Sequence, residues 1–449
     1  MKVKVETTTI LKPTYEPTSP PPPPSTHVPL TVFDKATYDT HVAVIYAYRP
    51  PTPPNATIKL GLQKALAEYR EFAGRLGRDE NRNPKLILLN DDGVKLVEAS
   101  TDARLDEVMM PLLTPSPATW SLHPGLKNVE ELVQVQLTRF GCGSLVVGFT
   151  AHHLVADGRS TSEFLVAWGR ASRGLDVGRS PSLDRTIFAP RKPPVVEYEH
   201  RGVEYKSKIR ASSSQTRSDE NLKPGVYVVC SLFVSCLHFT LDFLSKLKSR
   251  CSASSTKPYT TFVSVAAHLW RTVTKARNLA GSESTRFRIS VDGRTRMVND
   301  PQIPDDYLGN LVLWAFPTSR VDDLLTQPLP YAAKLINDAV VGVDDGYFKS
   351  FVDFASHVDV EKEGLVPTAD VSRSALSPDL EVHSWLRFPF YDLDFGGGCR
   401  PCVFMPSFFP TEGVVILLPS FAGDGSVDAF VPLFREDLDA FMEVCYVLD

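Results

Sequence analysis

The 449-residue sequence has no apolar run of the ~18 residues that a membrane-crossing helix needs, and no basic-then-apolar leader at its start. No membrane association is expected, and the cytosol is the expected location. Charge of one sign is not in excess, since 48 Lys and Arg face 53 Asp and Glu for a net charge of -5. That balance gives no reason to expect a nucleic-acid or anionic-membrane partner. Cysteine is sparse and scattered: Cys142, Cys230, Cys236, Cys251, Cys399, Cys402 and Cys445 form an odd set, unlike a disulfide framework. Cys399 and Cys402 make one CxxC, but no second CxxC or HxxxH supplies the two further ligands of a zinc site. There is no H-E-x-x-H, and Gly396-Gly397-Gly398 lacks the G-x-G-x-x-G spacing of a dinucleotide loop. Neither a metal nor a cofactor is expected. The chain also lacks a visible internal repeat.

What is present is material for packed cores. Hydrophobic residues make up 43% and charged residues 22% of the chain, as in globular proteins of two or three units. The most informative stretch is Thr150 to Ser160, TAHHLVADGRS. It follows the apolar run Leu145 to Phe149, which predicts a buried strand, and precedes Phe164, Leu165 and Trp168 at helical spacing. Two histidines, an aspartate and a glycine therefore stand where a strand hands over to a helix, a place where packed elements can aim side chains. Imidazole titrates near neutrality, so His153 could take a proton from a nucleophile and return it to a leaving group. Asp157 could accept from that imidazole, or it could turn inward and hold the loop, since Asp157-Gly158 is itself a turn signal.

Around this stretch, strands and helices alternate, which predicts an α/β or α+β class with a mixed sheet. A strand is predicted from His41 to Tyr48, a helix around Ile58 to Tyr69 capped near Asn55, and a hairpin joining Lys85–Leu89 to Val94–Glu98. A proline run, PTYEPTSPPPPPSTHVP, reads as an extended surface connection. From about Ser180 to Val226 apolar periodicity fades into a charged, Pro/Ser-rich linker. Beyond it, Thr260 to Leu279 predicts a long amphipathic helix, on which His268, between Ala267 and Leu269, reads as a core or capping histidine in preference to a catalytic one. ISVDGRTR ends a strand near Arg294, Gly309-Asn310 opens an apolar strand, and Trp385 to Tyr391 reads as a strand leading into Asp394 and three glycines. The chain closes as a buried strand, a Gly-Asp-Gly turn and an amphipathic helix.

HHLVADG, SVDGRTR and DFGGG, in this order, resemble the motifs of plant BAHD acyl-CoA-dependent acyltransferases. The likeness extends over the whole chain, through PLTVFD, ALAEYREFAGRL, TTFVSVAAHLWR and LLPSFAGDGSVDAFVPL. It is greatest to the grass agmatine and putrescine hydroxycinnamoyltransferases, which carry DFGGG where the family usually has DFGWG. The resemblance implies two chloramphenicol-acetyltransferase-like α/β domains, 1–180 and 226–449, joined by a crossover at 181–225, with an active-site channel between them. It implies His153 as general base and Asp157 as its structural partner. Asp394, with Gly396 and Gly398, belongs to a motif away from the reacting atoms and is expected to pair with Arg294. Gly397 stands where a tryptophan is usual, and Cys399 where a basic residue is usual.

The chemistry so implied is direct attack by an amine or hydroxyl on the thioester carbonyl of a hydroxycinnamoyl-CoA. His153 removes the proton and returns it to the CoA sulfur, with no cofactor besides the acyl-CoA co-substrate and no covalent enzyme intermediate. The tetrahedral oxyanion needs a donor, and the indole N–H of Trp385 is the expected one. By resemblance, His41, Tyr46, His383 and Ser384 face the acceptor. A cationic acceptor calls for a carboxylate, with Glu381 and Asp353 the two candidates. Agmatine or putrescine is the expected acceptor, with tryptamine or serotonin open. A hydroxyl acceptor such as shikimate, which Arg387 could pair with, is the alternative, and a non-catalytic CoA-ester-binding protein is a third reading. No feature asks for an obligate partner, and a monomer is expected.

Overall fold

The computed structural model describes all residues except 17–25, 81–82, 113–116, 127–128, 179, 209–231, 300–301, 358–361, 370–373, 399, 408–410 and 449. Much of the proline run, part of the linker, and Cys399 of the CxxC lie outside the described residues.

The chain divides into two compact units, each assembled from three stretches. The first is Met1–Ala189, Pro301–Leu311 and Phe388–Phe409; the second is Pro190–Asp300, Val312–Arg387 and Pro410–Asp449. The simple division at 180 and 225 is therefore corrected. Short segments of the second half, including DFGG, belong to the first unit, and residues 190–208 fall to the second.

The first unit is built on a six-stranded mixed sheet, in the order Lys4–Leu11, Val94–Thr101, Val133–Phe140, Leu145–His152, His41–Tyr48 and Pro401–Pro406. Every residue of Leu145–His152 is buried. A strand with partners on both sides and cover on both faces needs such a continuous apolar run. Lys4–Leu11, at the edge, is exposed except at Leu11, and its threonines and charges suit it to water. The helix Asn55–Glu68 packs against the helix Gly158–Ser172, whose Trp168 is fully buried and donates its indole N–H to the Ile58 carbonyl at 2.9 Å.

The second unit centres on a sheet ordered Leu232–Phe239, Val427–Phe434, Val414–Pro419, Leu380–Ser384, Ser284–Asp292 and Val312–Ala315, with Thr318–Arg320 also paired to Ser284–Asp292. The predicted long helix is Thr261–Ala276, with the Thr260 side chain accepting from the Val263 N–H as its cap. His268 is buried on it, its Nε2 2.6 Å from the Cys445 carbonyl oxygen, as a core histidine should be. Among the described residues no helix is long and apolar enough to cross a membrane.

Three local expectations are corrected. The turn at Asp91 to Gly93 exists, with both of those residues at positive φ, but the strands it joins enter different sheets. Pro84–Leu88 pairs with Arg75–Arg78 and His27–Pro29, while Val94–Thr101 joins the central sheet. The stretch from Trp385 to Tyr391 is not a strand; the strand is Leu380–Ser384, and Phe390–Asp392 is a 3₁₀ turn after Pro389. Val427–Phe434, where a helix was expected to begin, is a strand, and the helix is Arg435–Val444.

One buried acid has a consequence for stability. Glu71 is fully buried in the 3₁₀ turn Arg70–Ala73, and burial pushes its carboxyl up from 4.5 to about 7, against the pull of Arg185 and Arg70. An acid with a raised folded pKa is protonated in the fold while the unfolded chain ionises. Stability is therefore lost as pH rises from 4.5 through 7, by up to ~3 kcal/mol for a shift of that size. Glu71→Gln keeps the shape without the ionisation. Urea unfolding should show a larger advantage of the variant at pH 8 than at pH 5; an equal difference at both pH values would contradict the assignment.

Candidate active site

The two histidines of the motif differ in kind. His152, the last residue of its strand, is buried, and its ring packs edge-on against that of His41 with centroids 4.7 Å apart. Burial first, then the charges of His41, Arg78 and His153, push the His152 imidazole down to about 3. It stays neutral at any working pH. His153 lies just past the strand and is only half-buried. Its backbone N–H donates to the Thr40 carbonyl at 2.9 Å. Its Nδ1 lies 3.1 Å from Asn310 Oδ1 and 3.2 Å from Thr37 Oγ1, and Tyr38 packs edge-on against the ring with centroids 5.7 Å apart. One ring nitrogen is thus held by polar partners on one edge of the imidazole.

Asp157 caps the helix Gly158–Ser172. Its Oδ1 accepts from the Ser160 N–H at 3.0 Å and its Oδ2 from the Leu311 N–H at 3.1 Å. An acid at this end also suits the helix dipole. Of the two roles open to it from sequence, these bonds support the inward one: the carboxylate ties the helix start to the segment bearing Asn310. Ser160 Oγ adds to that tie by donating towards the Gly309 carbonyl at 3.1 Å. Gly309 has φ +148, and a Cβ there would come within 2.6 Å of the Tyr307 hydroxyl and 2.8 Å of Arg185 Nη1. Only glycine fits this close approach.

Beneath Asn310 lies a buried ion pair. Asp34, at the third position of the short helix Val32–Lys35, completes a reciprocal cap with Thr31 and pairs with Arg185. Arg185 also donates to the Tyr307 hydroxyl at 3.0 Å. Sequence reasoning missed Thr37, Asp34, Asn310 and Arg185 as functional residues. Arg185 lies in the stretch read as a linker, and Asn310 was read only as the opening of a strand.

Two other expected site residues of this unit are enclosed. His41 is buried, its Nε2 2.9 Å from the Glu131 carbonyl oxygen, and burial lowers its pKa. Tyr46 is fully enclosed, with its ring 4.7 Å from that of Phe404, and burial drives its hydroxyl well above the usual range. The expectation that Tyr46 faces an acceptor is corrected: it is a core residue.

Asp394 Oδ2 is met by Arg173 Nη1 at 3.1 Å, and its Oδ1 accepts from the Gly396 N–H at 2.8 Å. The expected cation was Arg294, which lies in the second unit with its Nη1 3.3 Å from Asp292 Oδ1. The motif is anchored on the first unit, with Phe395 edge-on to Trp168 at 5.0 Å and the Leu393 carbonyl accepting from the Tyr48 hydroxyl at 2.9 Å. Gly396, Gly397 and Gly398 have φ of +95, +67 and +81, so this turn is one that larger side chains enter only with strain. Gly396 and Gly397 line an open cavity of about 630 Å³ together with Phe395, Arg173 and Pro51.

In the second unit, Glu381 is buried, with Arg288 Nη1 at 3.0 Å and His383 Nε2 at 2.6 Å. Its charge is already countered by Arg288, whose guanidinium stacks 3.5 Å from the Trp314 ring centroid. Ser384 ends the same strand, and Trp385 follows it half-buried, its backbone N–H donating to the Leu417 carbonyl at 2.9 Å. Asp353 is fully buried, and its oxygens accept from the Arg191 and Val195 N–H groups at 2.7 and 2.8 Å and from the Arg191 guanidinium. As the anion for a substrate amine Asp353 is therefore corrected: it is a structural acid holding the chain at 191–195.

This unit also holds a look-alike of a nucleophilic triad. His200 has its Nδ1 3.0 Å from Glu204 Oε2 and its Nε2 3.0 Å from Ser350 Oγ. All three residues are fully buried, and Ser350 Oγ also accepts from the Glu197 and Tyr198 N–H groups. No substrate reaches this serine. Among the described residues no group of three or more His, Cys, Asp or Glu is placed to hold a metal ion.

The sequence model of the transferase family matches residues 1–448. Agmatine coumaroyltransferase-1 of Hordeum vulgare is 53% identical over 424 residues, covering 94% of each chain. The putrescine hydroxycinnamoyltransferase of Oryza sativa subsp. japonica is 49% identical over 461 residues, covering 100% of both. Vinorine synthase, as a crystal structure, shares the fold with a TM-score of 0.70 at 20% identity, covering 100% of this chain and 99% of its own. A half-buried histidine set after a buried strand, a full-length family match and relatives at half identity agree: the chain belongs to the BAHD acyltransferases of the transferase family.

Proposed function

We propose that the protein transfers a hydroxycinnamoyl group from its CoA thioester to an aliphatic amine, agmatine or putrescine, giving a phenolamide. The single observation that carries this reading is His153, half-buried and gripped through one ring nitrogen, on a chain whose full-length relatives at about half identity are named for agmatine and putrescine. The neutral amine attacks the thioester carbonyl, and His153 takes its proton as the C–N bond forms. The proton passes to the sulfur as the C–S bond breaks and CoA leaves. Much of the acceleration then comes from holding two substrates in reacting geometry. No cofactor takes part besides the acyl-CoA co-substrate, and the protein acts as a monomer in the cytosol.

Initial-rate CoA release from coumaroyl-CoA tests the reading, with agmatine, putrescine, tryptamine, serotonin and shikimate offered separately. The expected result is kcat/KM highest for agmatine or putrescine, at least about tenfold above shikimate, a difference of only ~1.4 kcal/mol in transition-state binding. Turnover with shikimate alone would move the function to O-acylation. Tight binding of coumaroyl-CoA with no turnover on any acceptor would leave a CoA-ester-binding protein.

A further inference from the structure

The Asn310 amide meets two groups whose hydrogen-bonding roles are unambiguous, and these settle the role of a third. Its Nδ2 lies 3.0 Å from Asp34 Oδ1 and 2.8 Å from the His153 carbonyl oxygen. A carboxylate and a carbonyl only accept, so the amide nitrogen must face them and the amide oxygen must face the other way. That oxygen is 3.1 Å from His153 Nδ1. An amide oxygen also only accepts, so Nδ1 must carry the ring hydrogen. Thr37 Oγ1, at 3.2 Å, takes a second branch of the same bond. The lone pair of the neutral imidazole is thereby assigned to Nε2.

Asp34 is what makes this arrangement one-way. Its Oδ1 accepts from both the backbone N–H and the side-chain amide of Asn310, at 2.9 and 3.0 Å. Its Oδ2 accepts from the Thr31 N–H and hydroxyl, each at 2.9 Å, and from Arg185 Nη1. All of these partners donate, and the carboxylate is buried, where a mismatched polar pair is costly. Turning the Asn310 amide over would set its oxygen against the Asp34 oxygen and its NH2 against the Nδ1 hydrogen.

We propose that Asp34 is a positioning residue that acts through Asn310 to fix His153 in the Nδ1–H tautomer, so that Nε2 is the atom that takes the acceptor's proton. The inference rests on reading His153 as the general base, but its first readout needs no substrate. A carboxamide at position 34 cannot serve both sets of donors, because one of its two ends must present N–H to N–H. Asp34→Asn therefore unlocks the amide with almost no change in volume.

The test is ¹⁵N NMR of the intact protein labelled at the histidine rings, with the His153 signals identified by their loss in His153→Gln. The wild type is expected to show a pyrrole-type Nδ1 and a pyridine-type Nε2 at His153, and Asp34→Asn and Asn310→Ala a mixture with the opposite tautomer. With coumaroyl-CoA and agmatine, both variants should lose about 10²-fold in kcat with KM changed less than about threefold, as for misplacement of a general base. An Nε2–H tautomer in the wild type overturns the proposal, and so does a tautomer unchanged in both folded variants. Should neither variant fold, the wild-type spectrum alone decides. Nδ1–H in a protein that acylates nothing would leave the tautomer assignment standing and remove only the reading of His153 as base.

Discussion

His153→Ala is expected to cut CoA release from coumaroyl-CoA in the presence of agmatine by about 10²–10⁴-fold, the range that general acid–base catalysis supplies. KM for the acyl-CoA should change little, because the loss is of proton transfer and not of binding. Removal of the ring also strips Asn310 Oδ1 and Thr37 Oγ1 of a partner, so a modest fall in thermal stability should accompany the loss. His152 cannot take over: its ring is buried, and burial pushes its pKa down to about 3, which makes it a poor proton acceptor. Activity retained within about tenfold would place the proton transfer elsewhere.

Asp157→Ala should be the most damaging substitution that touches no substrate. It removes a helix cap, typically about 1 kcal/mol, and leaves the buried Leu311 N–H without its carboxylate, a further ~1–3 kcal/mol. The sum is about 2–4 kcal/mol by the same principles, and the released segment is the one that carries Asn310 to His153. Asp157→Asn should fall between, since an amide oxygen can cap the helix or accept from Leu311 but its NH2 cannot replace the other oxygen. Urea unfolding read beside kcat separates the possibilities. Stability and activity falling together is the expected result; activity lost at unchanged stability would make Asp157 a partner of the imidazole itself.

What the sequence revealed and what it hid follow from how far apart the interacting groups lie. The strand Leu145–His152 and the helix Gly158–Ser172 are written locally, in a continuous apolar run and in helical spacing, and so is the histidine between them. Asn310 lies 157 positions from His153, and Asp34 lies 276 from Asn310. Periodicity says nothing about polar pairs at such separations, so the whole scaffold behind the imidazole was invisible except as fragments of a family likeness. The same holds for the units: nothing in the composition of 301–311 or 388–409 announces that these segments leave the second unit for the first. The aromatic stretch after Ser384 has the composition of a strand, yet the strand ends at Ser384 and the chain turns at Leu386 and Arg387, ahead of Pro389 and the 3₁₀ turn at Phe390–Asp392. Acids were the least legible. Asp353 and Glu381 look alike in sequence, and only their buried donors show that the first holds backbone and the second is countered by Arg288.

The central claim is direct transfer by a histidine base, without a covalent acyl-enzyme. Its most direct measurement is the intact mass of the protein, with free CoA followed in parallel, after mixing with coumaroyl-CoA alone and then after adding agmatine. The account predicts an unchanged protein mass and no burst of CoA before the amine is added, then one CoA released for each amide formed. A protein heavier by one coumaroyl group, with CoA released in step before any acceptor is present, would contradict it.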